Sequence, residues 1–148
     1  MSTYSQILYQ IVFTTRNRKN SLTQPNRDKL CRIIWAILEK KKCHPYAING
    51  TSNHLHIATH INPSIALSNL VKDIKMGTSE IIKNEKLFPL FESWQEGYGA
   101  FTYSIDAKKN LVNYILNQEE HHRKIDLETE YKMLLDEFDI QYNEKYLF

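Results

Sequence analysis

Apolar positions along the chain follow two periods, and these divide it into strands and helices. Residues 6–14, Gln-Ile-Leu-Tyr-Gln-Ile-Val-Phe-Thr, are β-branched and aromatic as a strand requires, and Arg16 to Lys19 supply the polar turn behind it. Pro25 then opens a helix reaching about Lys42, in which Leu30, Ile33, Ile34, Ile37 and Leu38 recur at helical spacing and leave the opposite face charged. Residues 45–49 and 54–61 read as two strands joined at the Asn49-Gly50 turn, a hairpin signal. Asn62 caps and Pro63 starts a second helix, with Leu67, Leu70, Val71 and Ile74 inward, Lys72 and Lys75 outward, and Gly77 softening the run. Beyond the aromatic stretch 88–98, residues 99–105 predict a fourth strand, and Asp106 caps a third helix that runs to Gln118 or further.

The predicted order, β-α-β-β-α-β-α, contains two split βαβ units and points to an α+β fold, a ferredoxin-like sandwich of helices on an antiparallel sheet. A length of 148 residues at 42% hydrophobic content suits one core and leaves no room for a second catalytic module. The expected division is a single domain over 1–125 and an acidic C-terminal extension over 126–148. In that extension Tyr131, Leu134, Leu135 and Phe138 form one side of a helix that packs on the domain and can restrain the third helix.

Charge alters the picture more than composition does. Residues 1–125 hold 17 Lys and Arg against 10 Asp and Glu, whereas 126–148 hold 2 against 7. A basic body suits a phosphate backbone, because neutralising phosphates releases counterions, although any single cluster such as Lys40 to Lys42 reads equally well as a solvated helix face. Cys31 and Cys43 lack metal-type spacing and are read as reduced thiols. The N-terminus has no h-region of a signal peptide, and no apolar run approaches membrane-spanning length, so a soluble cytoplasmic protein is expected.

The candidate chemistry begins at His54-Leu55-His56. A strand alternates its side chains, so both imidazoles point to one face, a spacing that suits metal ligation. Alone, the pair reads more readily as paired surface histidines or as histidines bonded to backbone, and ligation needs a third ligand. On the third helix Tyr114 and Gln118 are four apart and share a face beside the apolar stripe of Leu111, Val112, Ile115 and Leu116. His121, His122, Arg123 and Lys124 follow near the same polar edge. A lone tyrosine there would fit packing; phenol, amide and imidazoles together suggest a site.

Three motifs in order, His54-Leu55-His56, Trp94 to Phe101 (Trp-Gln-Glu-Gly-Tyr-Gly-Ala-Phe) and Tyr114-Ile115-Leu116-Asn117-Gln118, resemble the TnpA-like single-tyrosine HUH transposases of small hairpin-ended bacterial insertion sequences. The resemblance extends nearly end to end, from Gln10 to Arg16 through the closing Tyr142 to Phe148. It implies that Tyr114 is the nucleophile of DNA strand cutting and rejoining through a 5′-phosphotyrosine. It further implies that His54, His56 and Gln118 bind a divalent metal, Mg²⁺ or Mn²⁺, and that the substrate is single-stranded DNA with hairpins, handled by a homodimer. Imidazole ligands favour Mn²⁺ of the two. Asn53 stands where the family carries a charged or polar residue.

Three neutral ligands would leave the metal's double charge to stabilise the phosphate as Tyr114 attacks, and the phosphotyrosine would conserve the bond energy. The chain carries no G-x-x-x-x-G-K-[ST] loop, so no nucleotide cofactor is expected. No general base is evident; His121 and a metal-bound water are the candidates. Arg16, Arg18, Lys72, Lys75 and Lys83 are candidate phosphate contacts, and Trp94 and Phe101 are candidate base platforms or core residues. Two edges, residues 6–14 or the fourth strand, could pair across the dimer axis. Other readings are an inactive structured nucleic-acid-binding relative and a small metal-dependent hydrolase. The hydrolase would want an acidic ligand beside the histidines, and none is adjacent in sequence.

Overall fold

A computed structural model describes residues 1–148. Its elements are β1 (Leu8–Thr14), α1 (Asn26–Lys40), β2 (His44–Gly50), β3 (His54–His60), α2 (Leu67–Glu85), β4 (Gly99–Tyr103), α3 (Lys108–Leu116), α4 (Gln118–His121) and α5 (Leu127–Glu137). The four strands form one antiparallel sheet in the order β2-β3-β1-β4. That order places β3 between the two strands joined by α1, and β1 between the two joined by α2, which is the ferredoxin-like α+β sandwich.

Strand alternation gives the sheet two buried faces. Ile11, Phe13, Leu55 and Ile57 point to one side and pack with Leu30, Ile34 and Leu38 of α1 and Leu70, Val71, Ile74 and Ile82 of α2. Leu8, Ala47 and Ala58 point to the other, under Leu111 and Ile115 of α3, and beside them Val12 and Phe101 lie under Leu134 and Leu135 of α5. The C-terminal helix therefore forms part of the second layer, with its apolar stripe on the sheet.

Several local expectations are corrected. Asn62 stabilises a turn, its Oδ1 accepting from Ser64 N at 3.0 Å, and α2 begins later, at Leu67. Gly77 does not interrupt that helix; a Cβ there would meet Ile37 Cδ1 at 3.6 Å, so it marks where α2 approaches α1. The hairpin turns at Thr51 to Asn53, since β2 continues through Gly50 to pair with Leu55. Asp106 lies in a 3-10 turn, Ile105–Ala107, that precedes α3 without a side-chain cap. The third helix breaks at Asn117 (φ −97, ψ 22), where Asn49 Nδ2 donates to Leu116 O at 3.0 Å and satisfies a carbonyl at the break. Finally, β1 is interior to the sheet with both edges paired, so it is excluded as an edge for pairing with a second chain; of the two strands considered, only β4 ends the sheet.

Candidate active site

On β3, His54 and His56 fall at alternate positions and face the α3–α5 layer, both fully buried, because the intervening Leu55 is needed in the core on the other side. Their Nε2 atoms point to a single carboxylate, Glu130 of α5. Glu130 Oε1 lies 3.0 Å from His56 Nε2, 3.1 Å from His122 Nε2 and 3.7 Å from His54 Nε2. The second oxygen, Oε2, accepts from the Tyr114 hydroxyl and from Gln118 Nε2 at 3.2 Å, with His121 Nε2 at 3.1 Å. Tyr114 and Gln118 thus do share a face, and Tyr114 meets the histidines of its own chain, its ring 5.7 Å from that of His56.

Glu130 and His122 were not assigned from the sequence. Glu130 lies 74 residues from His56, so no local spacing connects the two. A signal did exist: Glu130 stands at helical spacing from Leu127 and Leu134, a carboxylate on the buried stripe of an amphipathic helix.

Two tethers hold this end of the molecule. Arg27, buried at the start of α1, pairs with Glu119 of α4 while its Nη1 donates to Leu22 O at 2.8 Å. Asn49 fixes the end of α3 from β2. The first connects the Tyr114 and Gln118 segment to α1, and the second connects it to the sheet that carries the histidines.

The electrostatics follow from burial. Burial, reinforced by His56, pushes His54 down to about 3, so it is neutral. Burial also pushes the Glu130 carboxyl up, but the close imidazoles of His122 and His56 and the Tyr114 hydroxyl outweigh it and hold the group well below the ordinary carboxylate range. Burial and the Glu130 charge raise Tyr114 far above an ordinary phenol.

The donor set fits a divalent cation on three observations. His54, His56, His122 and Glu130 bring their ligating atoms within 4.8 Å of one another. Thr51 Oγ1 donates to Asn53 Oδ1, so both oxygens are acceptors for His54 Nδ1, at 2.9 and 2.8 Å. The hydrogen of His54 is therefore on Nδ1, and its Nε2 lone pair faces the Gln118 Oε1 oxygen at 3.0 Å, an arrangement of acceptors that a cation would satisfy. Lastly, His121 Nε2 and His122 Nε2 are buried without a hydrogen-bond partner of suitable geometry. Asn53 thereby gains a definite role: it fixes the tautomer of the first histidine.

Of the expected phosphate contacts, Arg16 and Arg18 lie in the loop after β1, whereas Lys72, Lys75 and Lys83 lie on α2. Arg16, Lys72 and Lys83 are exposed. Arg18 is 3.9 Å from Glu128 and lies over the Phe148 ring. Lys75 is half-buried and lowered by that burial, with its ammonium donating to the Gln95 carbonyl at 2.8 Å and to that of Gly97. Trp94, 8% exposed and bonded to Thr78, and Phe101, 2% exposed, are core residues. Burial pushes Cys31 up to about 12, and Cys31 and Cys43 are free thiols. No helix is long and apolar enough to cross a membrane.

A family model described as IS200-like transposase matches residues 3–118. The chain belongs to that family. Membership makes this protein a transposase, an enzyme class that cleaves DNA, in agreement with the resemblance carried by its motifs. Two solved structures share the transposase's fold. One is a candidate transposase from Deinococcus radiodurans R1, 19% identical, covering 80% of this chain and 95% of its own, with TM-score 0.61. The other is a REP-associated tyrosine transposase bound to a REP hairpin, 17% identical, covering 84% of this chain and 76% of its own, also with TM-score 0.61. No curated protein matches. The family match ends at Gln118, so α5 and Glu130 lie outside it.

Proposed function

We propose that this transposase cuts and rejoins single-stranded DNA at hairpin-bearing ends, with Tyr114 as nucleophile and His54, His56, His122, Glu130 and Gln118 as the residues that would hold a divalent metal. The observation that carries the reading is the division of labour on Glu130: Oε1 faces three imidazoles and Oε2 accepts the Tyr114 hydroxyl. When bound, the metal would supply positive charge to stabilise the phosphate as charge develops on its oxygens. A carboxylate in the set leaves that charge at +1, not the +2 of three neutral ligands, and it adds a hard oxygen donor that favours Mg²⁺ or Mn²⁺ over softer ions.

The residues of the chain perform the rest. Tyr114 is held four residues from Gln118 on the broken helix, with its proton directed at Glu130 Oε2. As the Tyr114 oxygen attacks phosphorus, the hydroxyl proton leaves along its hydrogen bond to Glu130 Oε2 and passes on to water, the bond from phosphorus to the 3′-oxygen breaks, and that oxygen leaves as a 3′-hydroxyl with a proton taken from water. The 5′-phosphotyrosine retains the bond energy, so a later 3′-hydroxyl can reverse the step without a nucleotide cofactor. Glu130 Oε2 thus orients the hydroxyl and relays its proton, and His121, with Nε2 3.1 Å from the same oxygen, stays beside that path.

The hairpin substrate is supported by the REP-hairpin-bound neighbour and by the basic body of the chain. Arg16, Arg18, Lys72 and Lys83 are offered as backbone contacts, Lys75 contributing once its carbonyl partners release it. A homodimer handling two DNA ends in the cytoplasm, and a division at residue 125 between the domain and an extension that supplies Glu130, complete the proposal.

The test is a denaturing gel of the protein and a Tyr114→Phe variant with labelled hairpin DNA from the flanks of its own gene, with and without Mn²⁺. A protein–DNA adduct that needs both Tyr114 and Mn²⁺ is expected. Hairpin binding with no adduct under any metal would replace this reading with a non-cleaving DNA-binding function.

A further inference from the structure

We infer that Gln10 is a positioning residue for the metal, because its amide determines which ring nitrogen of His56 carries the hydrogen. The inference rests on the proposal that His56 is a ligand through Nε2. Gln10 is on β1, fully buried, on the sheet face that carries His56. Both ends of its amide are engaged: Nε2 is 2.9 Å from His56 Nδ1, and Oε1 accepts from the Tyr103 hydroxyl at 2.6 Å.

An amide NH₂ aimed at Nδ1 makes Nδ1 the acceptor and puts the imidazole hydrogen on Nε2. That hydrogen then donates to Glu130 Oε1 at 3.0 Å, and every group in the row from Tyr103 to Glu130 is satisfied without a cation. In this state His56 has no lone pair to offer at Nε2. The two histidines therefore differ. His54 is preset for ligation by Asn53 and Thr51, whereas His56 must move its hydrogen from Nε2 to Nδ1.

A half-turn of the Gln10 amide supplies what the new tautomer needs. Oε1 would accept from His56 Nδ1, and Nε2 would donate to the Tyr103 oxygen, since a phenol both donates and accepts. The Tyr103 hydroxyl hydrogen then rotates toward the cleft between α3 and α5 that Tyr103 lines. No side chain has to leave its place. Gln10 and Tyr103 thus form a two-position relay, one setting for the metal-free site and one for the loaded site, in the manner of outer-shell partners that fix a ligand's tautomer.

The relay predicts opposite effects for two changes at one position. In Gln10→Glu the carboxylate, once ionised, has two oxygens that accept only, so His56 Nδ1–H is favoured before metal arrives, and Tyr103 can still donate. In Gln10→Leu the Nδ1–H of a ligated His56 has no acceptor. A residue that merely filled space would be harmed in the same direction by both.

The experiment uses metal-stripped full-length protein, Mn²⁺ titrations followed by electron paramagnetic resonance, and ¹⁵N ring spectra of His56 without metal. Expected are an Nε2–H tautomer in the wild type, Nδ1–H in Gln10→Glu with a Mn²⁺ Kd no higher than wild type, and a Kd raised about 10- to 100-fold in Gln10→Leu. An Nδ1–H tautomer in the metal-free wild type, or a similar rise in Kd for both variants, overturns the inference. If Gln10→Glu does not fold, Tyr103→Phe serves: removal of the donor that pins Oε1 must shift metal-free His56 toward Nδ1–H, and an unshifted spectrum overturns the relay. Wild-type Mn²⁺ binding by His56→Ala would instead refute the ligand assignment beneath it.

Discussion

Replacing Glu130 by Gln tests the centre of the site, because a carboxylate that ligates metal and one that merely occupies its place give opposite results. Without metal, the carboxylate accepts from His56 Nε2 at 3.0 Å, from Gln118 Nε2 at 3.2 Å and from the Tyr114 hydroxyl. Hydrogen bonds to a charged acceptor contribute about 1.5–3 kcal/mol each against roughly 0.5–1.5 for neutral ones. Neutralising the acceptor of three such bonds, and turning one oxygen into a donor among donors, is expected to cost about 2–4 kcal/mol. In a chain of this length each kcal/mol lowers Tm by roughly 2–4 °C, so the metal-free variant should melt about 5–15 °C below wild type. Mn²⁺ at a hundred times the wild-type Kd stabilises the wild type by about 2.7 kcal/mol. A variant whose affinity has fallen about 100-fold gains roughly 0.4 kcal/mol by the same relation, or about 1 °C. Calorimetric melts of both proteins with and without Mn²⁺ measure all four states. An unchanged metal-free Tm together with a larger Mn²⁺-induced rise in the variant would refute the ligand role.

Two further outcomes are expected. A Cβ on Gly50 would lie 2.0 Å from the His54 carbonyl oxygen, a backbone clash that no rotamer relieves, so Gly50→Ala should cost about 3 kcal/mol or more in urea unfolding and weaken Mn²⁺ binding by displacing His54; a loss under about 1 kcal/mol would contradict this. The metal-free protein should lose stability in acid: His54, depressed to about 3, stays neutral in the fold while the unfolded chain takes up its proton from about pH 6.5 downward, at about 1.4 kcal/mol per pH unit. Glu130, also depressed, adds a loss in the same direction as pH falls below the ordinary carboxylate range, and unfolding midpoints that are flat between pH 7 and 5 in wild type would refute the His54 part.

Much of the architecture was legible because it is written at short range. The strand of β3 expresses its period within a few residues, so the convergence of His54 with His56 follows from local geometry, whereas Tyr114 on α3 and Gln118 on α4 meet at Glu130 Oε2 across a break that the helical period did not foretell. Boundaries were less legible. Asn62 and Pro63 carry a helix-start signal, but Asn62 is used to fix the turn after β3 through Ser64 N and its Nδ2 bond to Lys41 O at 3.2 Å, and α2 starts later. Tertiary demand outweighed the local preference there.

The sequence by itself determined the order of elements, the sandwich class, the two-histidine strand and the tyrosine helix, because side-chain periodicity and burial act between neighbours along the chain. Only the tertiary structure decided that β1 lies inside the sheet, that Lys75 is bound to carbonyls, and that Glu130, His122 and Gln10 converge on the histidines. The physical reason is the same in each case. A buried polar group must find its partner in space, and a chain of 148 residues can bring that partner from any distance along itself.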